Sequence, residues 1–116
     1  MDKNNNRNFL IAPWRPRTPL REIYKEGWDE YPDHIIFIQN GCFWEAAEHD
    51  AEYLFEHLGW KTHNANYDRR LTTGTGIENE HFESQLKELG KGYVLIAQID
   101  EGDSKPARGI IYVFTP

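Results

Sequence analysis

The run His34-Ile35-Ile36-Phe37-Ile38-Gln39 is the strongest constraint on what this 116-residue chain can fold into. It is continuous and β-branched rather than alternating, the pattern of a strand buried on both faces. Two later runs, "YVLIAQI" at 93–99 and "GIIYVF" at 109–114, also read as strands, joined by the turn-rich stretch 100–108. Helical spacing separates these runs. Thr18-Pro19 reads as an N-cap followed by proline at the first helical position, and Leu20, Ile23 and Tyr24 form an apolar stripe that ends between Gly27 and Tyr31. After Phe43, a helix is expected on Ala47, Ala51, Leu54, Phe55 and Leu58, stopping at Gly59, with Glu45, Glu48, Glu52 and Glu56 on its other face. A further amphipathic helix is expected over 79–89 on Phe82, Leu86 and Leu89, ending at Gly90. Residues 60–67 read as a short strand, and 68–76, with two glycines, as a flexible polar connection. The expected fold is therefore α/β, a single domain with a mixed β-sheet flanked by about three helices.

At 39% hydrophobic residues the chain supports one modest core, since a domain of this size buries roughly two thirds of its unfolded surface. The first residues, "MDKNNNRN", are polar and aromatic-free, and three prolines between Pro13 and Pro19 favour extended backbone. Residues 1–17 are accordingly expected to be a flexible tail and 18–116 the folded domain. No apolar run is long enough to span a bilayer, the N-terminus lacks the apolar core of a signal peptide, and Cys42 is the only cysteine. These features point to a cytoplasmic protein without internal disulfides and without a membrane partner.

The formal net charge of −6 disfavours strong phosphate binding, but it is unevenly distributed. Residues 1–25 carry Lys3, Arg7, Arg15, Arg17, Arg21 and Lys25 against Asp2 and Glu22, a local +4, whereas 26–57 hold nine acids and no Lys or Arg. Chemistry-bearing motifs are scarce. "TTGTGIE" has neither the spacing nor the lysine of a phosphate-binding loop, and no HExxH-like pattern is present, so Glu45, His49, Glu52, Glu56 and His57 read as a solvated helix face. Cys42 has no identifiable activating base and reads as a small half-buried turn residue. No catalytic residue, metal or cofactor is expected, and the protein reads as a non-enzyme.

One short stretch stands out, Asn40-Gly41-Cys42-Phe43-Trp44-Glu45, where two aromatics and a carboxylate meet at a corner between a strand and a helix. On physical grounds alone, Phe43 and Trp44 could pack that corner and Glu45 could sit in a helix's first turn, favoured by the macrodipole. The surrounding pattern, however, resembles the N-terminal mismatch-recognition domain of the MutS family of DNA mismatch repair proteins. The similarity begins at Thr18-Pro19 and runs through the Tyr31-Pro32-Asp33 turn, the apolar strand, Gly41-Cys42-Phe43-Trp44-Glu45 in place of Gly-Asp-Phe-Tyr-Glu, and a helix containing Asp50-Ala51. It continues through "GIENEHFESQLKELGKGYVLIAQI" to "RGIIYVFTP" at the C-terminus. The resemblance implies that Phe43 wedges into a duplex from the minor groove beside a mispaired base and that Glu45 hydrogen-bonds that base, while Trp44 stays in the core. Arg15, Arg17, Arg69 and Arg70 are further candidates for phosphate contacts. Cys42 and Trp44 replace the family's Asp and Tyr, and Glu78 stands where the family has proline. The implied partner is double-stranded DNA with mismatches or distortions. The chain is expected to carry no ATPase of its own and to be delivered by a larger DNA-processing protein such as a reverse transcriptase. An alternative is a protein-interaction module that docks a basic partner on the acidic face of 45–56.

Overall fold

A computed structural model describes residues 14–66, 68–99 and 106–116. The expected tail up to residue 13, and most of the 100–108 turn, lie outside the described residues. The apolar run forms strand β1, His34–Asn40, and Ile35, Ile36, Phe37 and Ile38 are all fully buried. Alternate residues of this strand enter different cores, as the two-residue period of a strand requires. Ile36 and Ile38 pack with Ile23 and Tyr24 of helix α1, Leu20–Glu30. Ile35 and Phe37 pack with Leu54 of α2, His49–Leu58, and with Phe82 and Leu86 of α3, His81–Glu88. One helix thus covers one sheet face and two cover the other.

The sheet has six strands in the order β3-β4-β2-β1-β5-β6, with β2 at Phe43–Ala47, β3 at His63–Asn64, β4 at Leu71–Gly76, β5 at Gly92–Gln98 and β6 at Arg108–Phe114. Only β1 and β5 pair in parallel, and every other neighbouring pair is antiparallel. The mixed sheet with three flanking helices is the architecture expected from sequence.

Three expectations about local structure are corrected. The helix expected to follow Phe43 directly begins only at His49, because Phe43–Ala47 is a strand, and the chain turns into α2 at Glu48, whose φ is +54. The stretch 68–76 is not a flexible connection throughout, since Leu71–Gly76 is β4 and pairs with β2 from Thr72 to Gly76. Thr18 also does not cap α1. Its hydroxyl donates to the Arg15 carbonyl at 2.7 Å, and the helix starts after Pro19.

Trp14, which falls in the stretch read as tail, is buried and bridges to Arg108 through reciprocal backbone hydrogen bonds. Its indole Nε1 donates to Glu26 at 2.6 Å, and its ring packs with Ile23 and Ile110. Replacing Trp14 with alanine is expected to lower stability by about 2–3 kcal/mol, at or just below the usual range for buried aromatics because the residue lies at the margin of the core. Thermal unfolding checks this, and an unchanged melting temperature would show that the folded unit begins after this residue.

Candidate nucleic-acid interface

Strand β1 turns into β2 through the two residues Gly41 and Cys42, with Asn40 paired to Phe43. Gly41 has φ +63 and Cys42 does not share the positive sign, the arrangement of a tight hairpin with glycine at its first central position. The tip is tied down by side chains. Gly41 N–H donates to Gln98 Oε1 at 2.6 Å, and Gln39 Nε2 donates to the Gly41 carbonyl at 3.2 Å. Cys42 is exposed rather than half-buried, since the tight turn leaves its side chain uncovered.

Strand alternation then separates the two aromatics. Trp44 points into the core with Phe37 and Phe82, as expected, while Phe43 stands on the opposite face with 57% of its surface exposed. Glu45 shares Phe43's face, and their partners across β4 are both glycines, Gly76 and Gly74. Without side chains there, the sheet is bare beside the ring and the carboxylate. A cleft of about 280 Å³ results, lined among others by Asn40, Phe43, Glu45, His63 and Thr72. A Cβ at Gly74 would lie 2.8 Å from the Trp44 carbonyl oxygen, so this position has no room for a side chain.

Glu45 is held from the side away from solvent. Tyr24 Oη lies 2.8 Å from Glu45 Oε1 and 2.9 Å from the Glu45 carbonyl oxygen, and Arg70 Nη2 donates to Oε1 at 3.0 Å. Arg70 Nη1 reaches both oxygens of Asp68 at 2.6 Å, and Asp68 in turn meets Arg21 at 3.5 Å. Burial pushes the Tyr24 phenol well above its usual value, and the neighbouring Glu45 charge adds to the effect. Burial alone would lower the Arg70 guanidinium, yet Glu45 and Asp68 raise it above its usual value. Asp68 responds reciprocally: desolvation, the largest single effect, pushes its carboxyl up, but the Arg70 hydrogen bonds and charge, with the Arg21 charge, together hold it below the usual carboxylate value.

The basic candidates divide. Arg70 is 7% exposed and its guanidinium is committed to Glu45 and Asp68, so it supports the site from within and does not face outward toward a phosphate. Arg15 and Arg17 are exposed. Their segment is anchored at the hairpin end of the sheet, because Trp14 bridges to Arg108 and Arg108 Nε donates to the Gln39 carbonyl. Arg69 is exposed too, but it precedes β4, whose far end faces Phe43, roughly 20 Å along the strand. Tyr24 was legible only as part of a core stripe, and the backing of Glu45 by Tyr24, Arg70 and Asp68 had no signal in the sequence.

A profile of the family described as MutS domain I matches residues 18–116. The chain belongs to the MutS domain I family. It is 34% identical over 98 residues to the DNA mismatch repair protein MutS of Thermus aquaticus, an alignment covering 83% of this chain and 12% of that protein. It is 32% identical over 111 residues to MutS of Lactobacillus delbrueckii subsp. bulgaricus, covering 90% of this chain and 13% of the relative. With the DNA mismatch repair protein MSH7 of Arabidopsis thaliana the identity is 31% over 108 residues, covering 79% of this chain and 9% of the relative. The chain spans about an eighth of the length of the bacterial relatives. In this MutS domain I the Asp-Ala pair opens α2. Asp50 Oδ2 accepts from Ile36 N–H at 2.9 Å and from Trp28 Nε1 at 2.8 Å, so one carboxylate joins β1, α1 and α2 behind the hairpin.

Proposed function

We propose that this domain binds double-stranded DNA and prefers duplex that is mispaired or distorted, with Phe43 as an aromatic wedge and Glu45 as the acceptor for a base edge. The observation that carries this reading is the exposed Phe43 ring on the same sheet face as a Glu45 carboxylate braced by Arg70 and Tyr24. Membership of a family whose relatives are named DNA mismatch repair proteins supports it. Inserting a ring between base pairs costs a few kcal/mol of lost stacking, and less where a mispair has already weakened the step. A carboxylate near phosphates is repelled by perfect duplex and gains only where a base offers it a donor. Together the two residues favour defects over regular helix.

In this reading Arg15 and Arg17 contact phosphates beside the hairpin, and Arg69 reaches a phosphate only if the duplex runs along β4. The domain works as a binding module, and a larger DNA-processing protein delivers it to DNA. A second reading, docking of a basic protein partner, is favoured by the outer face of α2. There Phe55 is 58% exposed among Glu48, Glu52 and Glu56.

Fluorescence anisotropy with a duplex carrying one mispair and its matched counterpart tests the first reading. The mispaired duplex is expected to bind roughly 10- to 100-fold more tightly, most of the difference coming from the ring stacked beside the mispair. With Arg15 and Arg17 as the main phosphate contacts, log affinity is expected to fall against log salt with a slope of about −2. Equal affinity for the two duplexes would reject the first reading in favour of the second.

A further inference from the structure

Two oxygens of Glu45 are treated differently by the protein. Oε1 is engaged by both Tyr24 Oη and Arg70 Nη2, while no hydrogen bond from the described residues is recorded at Oε2, and the residue lines the cleft beside Phe43. Arg70 is itself fixed by its two-pronged contact with Asp68, and Asp68 by Arg21 of α1, whose Nη2 also donates to the Asp68 carbonyl at 3.0 Å. A chain of alternating charges therefore runs from α1 through the approach to β4 and ends at the carboxylate. A planar guanidinium bound on both sides holds a carboxylate in a defined orientation better than a single point charge can.

We infer that Arg70, with Tyr24, is a positioning residue for DNA recognition: it clamps Glu45 by Oε1 so that Oε2 alone is presented to a base in the cleft beside Phe43. This rests on the proposed role of Glu45. The clamp has two consequences. It fixes the acceptor before DNA arrives, so little side-chain freedom is lost on contact. It also places a cation behind the anion, which weakens the repulsion between Glu45 and approaching phosphates. Arg70 thereby affects the preference for mispaired duplex without touching DNA.

A double-mutant cycle reads this directly. The ratio of affinities for mispaired and matched duplex is measured for the intact chain, Arg70→Met, Glu45→Gln and the double variant, alongside the thermal melt of each. Arg70→Met is expected to lower the ratio roughly three- to tenfold, and to lower it no further in the Glu45→Gln background. Loss of stability from removing Arg70 is expected in both backgrounds, so the melt reports the structural role and the coupled ratio reports positioning. Asp68→Asn, which loosens the far side of the clamp and leaves Arg70 in place, is expected to lower the ratio in the same direction if Arg70→Met does not fold. An unchanged ratio in folded Arg70→Met or Asp68→Asn, or an equal fall with and without Glu45, overturns the inference while the reading of Glu45 stands. No preference in the intact chain overturns both.

Discussion

Replacing Phe43 by alanine is expected to remove most of the preference for mispaired duplex and to leave the free domain as stable as before. The two halves of this expectation have separate causes. In the free domain the ring is more than half exposed at the start of a strand, opposite a glycine, so truncation opens no core cavity. Surface changes of this kind shift stability by no more than about 0.5 kcal/mol. On DNA, an aromatic stacked on a base contributes about 1–3 kcal/mol by alanine substitution, which corresponds to roughly 5- to 150-fold in affinity for the mispaired duplex. Matched duplex resists insertion, so its weaker binding rests mainly on phosphate contacts and should change little. Anisotropy titrations with the two duplexes, together with a melt of the free protein, check both halves. An equal fall on matched and mispaired DNA would show Phe43 to be a general contact and not a detector of weak stacking.

Much of this fold could be read from the amino acids, and what could not has identifiable physical reasons. β1 and β5 are central strands whose apolar runs need cover on both faces, and α1, α3 and β6 follow stripes that packing simply reinforces. β2 was hidden because Glu45, Ala46 and Ala47 continue the helical spacing of α2 and are good helix formers, so local propensity favoured one long helix. Tertiary context decides otherwise: the Gly41 turn returns the chain alongside β1, and β4 pairs with its other edge. β4 was hidden because "LTTGTG" has threonines and glycines where a strand normally shows apolar alternation. Its glycines serve close strand approach and an open surface beside Phe43, and in sequence that looks the same as flexibility. The error had a consequence for the site. Glu45 in a helix's first turn would need only the macrodipole, whereas Glu45 in mid-strand is half-buried and needs Tyr24 and Arg70, two residues 21 and 25 positions away.

Asp50→Ala is expected to cost about 3–4 kcal/mol, the largest stability loss among the substitutions considered. The carboxylate is nearly inaccessible, and its Oδ2 accepts from the buried Ile36 N–H and from the Trp28 indole. Alanine leaves both donors without a partner, and each orphaned group costs about 1–3 kcal/mol. Part of that loss is offset because a buried carboxylate is itself unfavourable, and burial raises the Asp50 carboxyl above its usual value despite those two hydrogen bonds. At roughly 4 °C per kcal/mol for a domain of this size, the melting temperature should fall by about 12–16 °C. Asp50→Asn separates hydrogen bonding from charge, since its amide oxygen can still accept from both donors, and it should lose about 1 kcal/mol or less. The pH dependence has a definite sign. With its folded-state value raised, Asp50 takes up a proton in the native state before it does in the unfolded chain, so on acidification toward the ordinary carboxylate value of 3.8 the native state gains relative to the unfolded one. The stability of the unmodified domain relative to Asp50→Asn should therefore rise as pH falls through that window. Asp68, held below its usual value by Arg70, acts in the opposite sense and loses its contribution at still lower pH, but it is common to both proteins and cancels in the comparison. A gap that stays flat or narrows on acidification would mean that the carboxylate is stabilised in place by its two donors more than it is penalised by burial.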